Sequence, residues 1–398
     1  MINGYLRNDG RKGIRNTIVV AYLVECAHHV AREIVYPFRE QGVHLIGFPG
    51  CYPNAYSHKM LERLCTHPNV GATLLVSLGC EGFNKGGLLE TIRQSGRPAA
   101  LVGIQDTGGT RKTISDGLAW VEQTLAQLQN TPRADMQIDE LVVGTICGGS
   151  DATSGLTANP SMGRAFDFLV EQNATCIFEE TGELIGMEHW MAKRAATPEL
   201  GQEIVDTVAK AARYYTTMGH ASFAPGNADG GLTTIEEKSL GAYAKSGQSV
   251  ISGIIKPGDV PIQGGLYLLD VVPDGEPRFG FPNISDNAEI AELIACGSHV
   301  ILFSTGRGSV VGSAISPVIK VCANPKTYKR MADDMDVDAG RILEGRASLD
   351  EVGREVYDLI VDVANGAQTK SEALGHQEFI LTYKSFEPIG PACYPTAA

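Results

Sequence analysis

The chain has 398 residues, 43% hydrophobic and 20% charged, which is enough for a full hydrophobic core and for two domains. Its 46 acidic against 33 basic residues leave a formal charge of -13; this argues against nucleic acid or an anionic membrane as partner, though a few local cations can still hold an anionic small molecule. No stretch approaches the roughly 20 apolar residues that a bilayer requires, no basic leader precedes an apolar run, and the nine cysteines read as the free thiols of a cytoplasmic protein.

Arg7, Arg11, Lys12 and Arg15 precede a first apolar strand that ends near Tyr22. They read either as a solvated arm or as contacts for an anion. The stripe Ala27, Ala31, Ile34 and Val35 predicts a helix over 25–40, and a strand at 43–47 follows, leading to Cys51. A helix over 55–66 leads into 69–78, an almost continuous apolar run of the kind buried on both faces of a parallel sheet. It ends at Gly79-Cys80-Glu81. A helix at 87–94, a strand at 99–104 and a helix at 110–128 complete a regular alternation, which predicts a parallel sheet with helices on both sides.

Residues 129–135 are polar and contain Pro132, so they are the expected linker, and the expected domains are 1–130 and 137–398. In the second unit a strand at 141–146 runs into Cys147-Gly148-Gly149-Ser150-Asp151. A helix at 163–172, a strand at 174–178 and the acidic turn Glu179, Glu180 and Glu183 follow, then helices at 186–194 and 198–216. Residues 219–231 read as loop, 249–255, 265–271 and 299–304 as strands, 349–366 as a helix, and the proline-rich stretch 386–395 as an irregular tail. The fold class is therefore α/β, with two α/β units and mostly parallel sheets. The first unit is Rossmann-like without a dinucleotide motif, since no Gly-x-Gly-x-x-Gly follows its first strand, and no nucleotide P-loop is present either.

Cys51, Cys80 and Cys147 each follow a strand in a glycine-rich turn, the place where open α/β sheets bind ligands. Thiolates select soft or borderline metals. If the three converge, with Glu81 beside Cys80, they hold either one ferrous ion or an iron–sulfur cluster with an open iron. They lack the close Cys-x-x-Cys pair of ribbon and ferredoxin sites, and each alone reads equally as a small hydrophobe in a tight turn. Cys26, Cys65, Cys176, Cys296 and Cys322 read as structural.

The Gly148-Gly149 amides with Ser150 and Asp151 form a nest suited to a carboxylate or phosphate. The stretch 225–241 combines Asn227, a glycine pair, Thr233, Thr234, Glu237 and Lys238. A threonine there can cap a helix, and Lys238 can neutralise a substrate carboxylate or, with its pKa lowered by burial, act as a base. The plain alternative is a solvated helix start. Glu179 with its neighbours offers a metal ligand and a proton acceptor, or only a wet acidic turn. Arg307, between glycines at a strand end, is a natural anion clamp.

Taken together, the stretch Gly4 to Asn16, His67-Pro68-Asn69, Leu78-Gly79-Cys80-Glu81, Cys147 to Asp151, Gly230 to Gly241, Phe303 to Gly308 and Asp336 to Gly340 resemble the large catalytic part of the altronate and galactarate dehydratases, relatives of the large subunit of sulfolactate sulfo-lyase. The resemblance implies a hydro-lyase that dehydrates a hexonate or hexarate sugar acid to its 2-keto-3-deoxy acid. It implies iron as Fe2+ or a cluster, with Mn2+ as the alternative ion. It also implies a homo-oligomer, and a separate small subunit in place of the small domain that many members carry. In this reading Cys51, Cys80, Cys147 and Glu81 hold the metal, and Arg15, Ser150, Asn227, Thr233, Thr234 and Arg307 bind substrate. Lys238 or Glu179 takes the C2 proton, and Asp151 helps the C3 hydroxide leave, with Glu237 as a further candidate. The other readings are a sulfo-lyase large subunit releasing sulfite and pyruvate, and a non-catalytic sugar-acid-binding protein. One departure concerns the first cysteine turn, where Phe48-Pro49 stands in place of the histidine expected there.

Overall fold

The computed structural model describes residues 2–219, 223–275, 285–382 and 384; the expected irregular tail at 386–395 and part of the 219–231 loop lie outside them. The strands run β1 (Ile2–Leu6), β2 (Lys12–Gly13), β3 (Thr17–Tyr22), β4 (Val43–Gly47), β5 (Val70–Ser77), β6 (Ala99–Gly103) and β7 (Arg133–Met136). Then follow β8 (Val142–Cys147), β9 (Thr175–Phe178), β10 (Ile251–Ile255), β11 (Gly265–Leu269), β12 (Val300–Thr305), β13 (Val318–Cys322) and β14 (Val337–Asp338). The first unit is a four-stranded parallel sheet in the order β4-β3-β5-β6. Its inner strand β5 is buried along its whole length, as a strand covered on both faces requires.

The second unit is a seven-stranded parallel sheet in the order β10-β11-β9-β8-β12-β13-β14. Strands β9, β11 and β10 lie to one side of β8, and β12, β13 and β14 to the other. A reversal of this kind opens a crevice beyond the carboxyl ends of the central strands. The two sheets share one core, in which Val19, Ala21, Ile46 and Leu75 of the first meet Ile146, Ile177, Ile301 and Phe303 of the second. The helices Ala55–Cys65 and Asp286–Ala295 pack against each other between them. The first of these helices is fixed at its start by Asn54 and Ser57, which cap each other's backbone N–H at 2.9 and 3.0 Å.

Three local expectations change. The segment expected as a linker carries β7, which pairs antiparallel with β1, and β1 in turn pairs with β2, so the basic start of the chain belongs to a small sheet and is no free arm. These strands are short and half exposed, which leaves no apolar run to read. The helix expected over 25–40 is broken into a turn, the α-helix His28–Val35 and a second turn. Pro37 lies in that last turn, and Gly42, at φ 75°, ends it in the left-handed conformation glycine tolerates. Cys26, expected in the core, is exposed.

Candidate metal centre

Cys147 ends β8, and Glu180 lies two residues beyond its neighbour β9. Glu180 has φ 82° and ψ 50°, a left-handed conformation that costs a non-glycine residue about 1 kcal/mol or more. The turn brings its carboxylate back onto β8. Glu180 Oε1 accepts from the Cys147 backbone N–H at 3.2 Å and from its thiol at 3.1 Å, and Glu183 Oε2 accepts from the same thiol at 3.4 Å. Ser150 Oγ stands 3.2 Å from the sulfur. Cys147, Glu180 and Glu183 are all buried, with one ligating atom from each within 4.8 Å of the others; among the described residues no other group of three does this.

The outer oxygens of both carboxylates are held by lysines. Lys245 pairs with Glu180 Oε2 and Lys238 with Glu183 Oε1, so each carboxylate presents one oxygen to the thiol and the other to an ammonium. Lys238 lies on the first turn of the helix Ile235–Ala244, which Thr234 caps, and Lys245 follows its last residue. The helix approaches so closely that a Cβ on Gly155 would stand 2.9 Å from the Gly241 Cα. Asn159 secures the contact by donating to the Gly241 carbonyl at 2.9 Å.

Burial pushes the Cys147 thiol up, with Glu183 adding to the shift and the two lysines opposing it. Burial alone would lower Lys238, but Glu183 and Cys147 hold its ammonium above the ordinary lysine range. The cluster suits a divalent ion. An ion with about 2.3 Å bonds to sulfur and about 2.1 Å bonds to oxygen separates sulfur and oxygen by roughly 3.6 Å in a tetrahedron, against the 3.1 and 3.4 Å found. The lysines fix the outer oxygens in the way that partners behind a metal's ligands do.

Cys147 and Glu183 also line a cavity of about 230 Å³ with Ser150, Asp151, Glu237 and Lys238. Leu156 and Leu240 line it too, and they remain 61% and 60% exposed. Asp151 is buried and accepts from the Thr153 backbone at 2.9 Å and its hydroxyl at 2.5 Å, from Ser154, and from Asn324 at 2.9 Å. Glu237 is exposed and binds the Thr233 backbone and hydroxyl at 2.7 and 2.6 Å, as a helix-start brace. Asn227 ties the Ala224 N–H to the Ser150 carbonyl, and Arg307 donates to the Gly226 carbonyl.

Other expected residues lie elsewhere. Cys51 and Cys80 are exposed; their turns meet through Gly82, whose N–H donates to the Cys51 carbonyl at 2.8 Å, and neither joins a group of three ligating atoms. Burial would raise Glu81, but Ser77 and the Gly79 N–H, at 2.8 Å, hold its pKa below the ordinary range and occupy both oxygens. Glu179 is buried but is not among the residues lining the cavity. Arg15 spends its guanidinium on Glu372 at 2.7 and 2.9 Å and on the carbonyls of Ile14, Val363 and Ala367. It borders a larger polar cavity of about 610 Å³ together with His44, Ser316 and His376. Lys245 carried no signal in the sequence, because a lysine after a helix reads as solvated; Glu180 and Glu183 were in view as members, with Glu179, of the acidic turn that offered a metal ligand and a proton acceptor.

Residues 138–386 match the family model described as D-galactarate/altronate dehydratase, C-terminal, and residues 4–129 the model for the second domain of D-galactarate dehydratase/altronate hydrolase. The chain belongs to the D-galactarate/altronate dehydratase family. It is 33% identical to the (2R)-sulfolactate sulfo-lyase subunit beta of Chromohalobacter salexigens over 95% of this chain and 96% of that one. It is 30% identical to the altronate dehydratase of Escherichia coli over 95% of this chain and 76% of that one. The galactarate dehydratase (L-threo-forming) of Escherichia coli is 35% identical over 77% of this chain and 59% of its own length. Membership of this family makes the protein an enzyme, a lyase, with a Cys–Glu–Glu cluster able to coordinate a metal ion. Among the described residues no helix is long and apolar enough to cross a membrane.

Proposed function

We propose that the protein is a metal-dependent dehydratase of a hexonate or hexarate sugar acid, acting in the cavity beside Cys147. The observation that carries the reading is the Cys147–Glu180–Glu183 cluster opening onto a cavity that Lys238 also lines. We take ferrous iron as the ion, with manganese as the alternative. A bound divalent ion supplies Lewis acidity toward a substrate carboxylate and its neighbouring hydroxyl. The cavity, at about 230 Å³, is smaller than the roughly 300 to 1,000 Å³ of sites for drug-sized ligands and suits a compact acid.

Abstracting the proton α to a carboxylate concentrates negative charge on its oxygens, and catalysis requires fixed positive charge there. Lys238, held as an ammonium by Glu183 and Cys147, meets that need. In this state it is no base for the C2 proton, and we assign it to the substrate carboxylate as charge builds there; the carboxyl group that accepts the C2 proton is the acid that returns it to the departing C3 hydroxyl. Asp151 and Glu237 are the remaining carboxylates on the wall, and their Asn and Gln variants separate them as the C2 base. Ser150 is the hydroxyl we assign to substrate binding.

A second reading has its own support. The chain spans 96% of the sulfolactate sulfo-lyase subunit beta against 76% of the altronate dehydratase, and the same enolate that loses hydroxide can expel sulfite from a 3-sulfonate. Under that reading a further subunit completes the enzyme. The test is an anaerobic assay with Fe2+ on hexonates, hexarates and 3-sulfolactate. A 2-keto-3-deoxy acid without sulfite supports dehydration, sulfite with pyruvate supports the second reading, and no product from any of them, both with and without a candidate small subunit added, contradicts both.

A further inference from the structure

Asp286 opens the helix Asp286–Ala295, where an acidic residue ordinarily does no more than complement the helix dipole. Its place in the fold gives it more to do. Along β12, Ile301 and Phe303 belong to one core and Val300 and Leu302 to another, as alternate residues on the two faces of a strand do. Ile290, Leu293 and Ile294 of the helix share the core of Ile301 and Phe303, which sets this helix on one face of the seven-stranded sheet. Ala242 of the helix Ile235–Ala244 shares the core of Val300 and Leu302, on the other face.

The Asp286 carboxyl reaches the carboxyl end of β8. A Cβ on Gly148, the residue after Cys147, would stand 2.2 Å from Asp286 Oδ2, so the carboxyl fills the space that a side chain there would take. Asp286 and Lys238 thus come to the ends of the central strands from opposite faces of the sheet, and the charge of Lys238 acts on the carboxyl.

The other carboxylates around the cluster are engaged. Glu180 and Glu183 each give one oxygen to the thiol and the other to a lysine. Asp151 accepts from Thr153, Ser154 and Asn324, and Glu237 from Thr233. Asp286 accepts only from its own backbone N–H among the described residues, which leaves lone pairs open to a proton. Burial raises the carboxyl to about 6, with Glu183 adding to the shift and Lys238 and Lys245 opposing it; general-base catalysis favours a group poised near the working pH.

We propose that Asp286 is the carboxylate that takes the C2 proton of the sugar acid, from the face of the sheet opposite Lys238. This rests on the reading of the protein as a dehydratase. As the proton passes to Asp286, the C2–H electron pair moves into the enediolate. The C3–O bond then breaks, its electron pair leaves with the oxygen, and Asp286 returns the proton so that water departs. The enol takes up a solvent proton at C3 and gives up the one on its oxygen, which leaves the 2-keto-3-deoxy acid and an ionised Asp286.

The test uses the full chain with Fe2+, kept anaerobic, on altronate and galactarate, with Co2+ affinity measured alongside. Asp286→Asn, which keeps the volume against Gly148, is expected to lower kcat about 100-fold or more while Co2+ affinity stays within about threefold of wild type. Asp286→Ala is expected to be as slow and to regain about tenfold or more in added formate, whose carboxylate fits the vacated space; Asp286→Asn decides alone where Asp286→Ala does not fold. A smaller loss of kcat overturns the proposal, as does a folded Asp286→Ala variant that formate does not rescue. A fall in Co2+ affinity that matches the fall in kcat also overturns it, because Asp286 then serves the ligands and not the proton. A wild-type protein that dehydrates neither acid overturns the dehydratase reading itself, which separates the two failures.

Discussion

The Cys147 thiol and Glu180 Oε1 lie 3.1 Å apart across the carboxyl ends of β8 and β9. That contact exists because Glu180 adopts a left-handed backbone conformation, which turns its side chain toward the neighbouring strand. Two carboxylates aimed at one buried thiol, with both outer oxygens pinned by lysines, form an arrangement that a divalent cation completes. Replacing Glu180 separates backbone from ligand effects. Glu180→Gly is expected to be more stable than Glu180→Ala by about 1 kcal/mol, since glycine adopts φ 82° without a Cβ penalty, and both are expected to lose the ion. Chemical denaturation gives the first comparison and metal analysis the second.

Lys238 is the cation of the cavity wall, and its two roles predict a split result. Lys238→Met is expected to lower kcat by on the order of 100-fold or more, because charge stabilisation aimed at the reacting carboxylate is lost. The ion is expected to be retained with at most about tenfold weaker affinity, since only the outer oxygen of Glu183 is released. Steady-state kinetics and metal content on the same preparation check it.

The regular alternation in the first unit made its sheet legible in the sequence, and β5 was readable as an inner strand because Val70 to Ser77 is almost unbroken in apolar or small residues. Strands β1 and β7 were not readable, since they hold together through pairing between residues more than 120 positions apart. The site was half legible. Cys147, Ser150, Asp151, Glu237 and Lys238 were singled out and line one cavity. Glu180 and Glu183 were legible only as members of an acidic turn beyond a strand, since the aim of Glu180 at Cys147 depends on a backbone angle, and Lys245 was not legible at all, its importance depending on a partner 65 residues away. Cys51 and Cys80 have the same sequence context as Cys147, but they follow strands of the other sheet and are exposed.

Gly155 tests the packing of the helix Ile235–Ala244. A Cβ there meets the Gly241 Cα at 2.9 Å, backbone that cannot give way without moving the helix that carries Lys238. Gly155→Ala is expected to cost about 1 to 3 kcal/mol of stability and about tenfold in kcat, through displacement of the reacting geometry by a fraction of an ångström. A melting curve together with kcat at saturating substrate reads both.

His299 joins the two units: its Nδ1 accepts from the Val142 N–H at 3.1 Å and its Nε2 donates to the Lys12 carbonyl at 2.9 Å. Burial lowers its pKa to about 4, and burial also holds the adjacent His67 well below the ordinary histidine range. The folded protein therefore keeps both rings neutral. The unfolded chain takes up protons near pH 6.5 while the folded one does not, so stability is full above about pH 6.5 and falls toward pH 4. For His299 the loss amounts to roughly 3 kcal/mol. Urea denaturation at pH 7.5, 6 and 5 is expected to show the decline, and His299→Gln, which keeps one donor and one acceptor, is expected to flatten it.

The most direct measurement is an anaerobic titration with Co2+, followed through the near-ultraviolet charge-transfer absorption of a cobalt–thiolate bond. One equivalent is expected to develop the band in the wild-type protein, in Cys51→Ser and in Cys80→Ser, and to leave it absent in Cys147→Ser. A band that persists without Cys147, or one that vanishes with Cys51 or Cys80, contradicts the assignment of the metal to Cys147, Glu180 and Glu183.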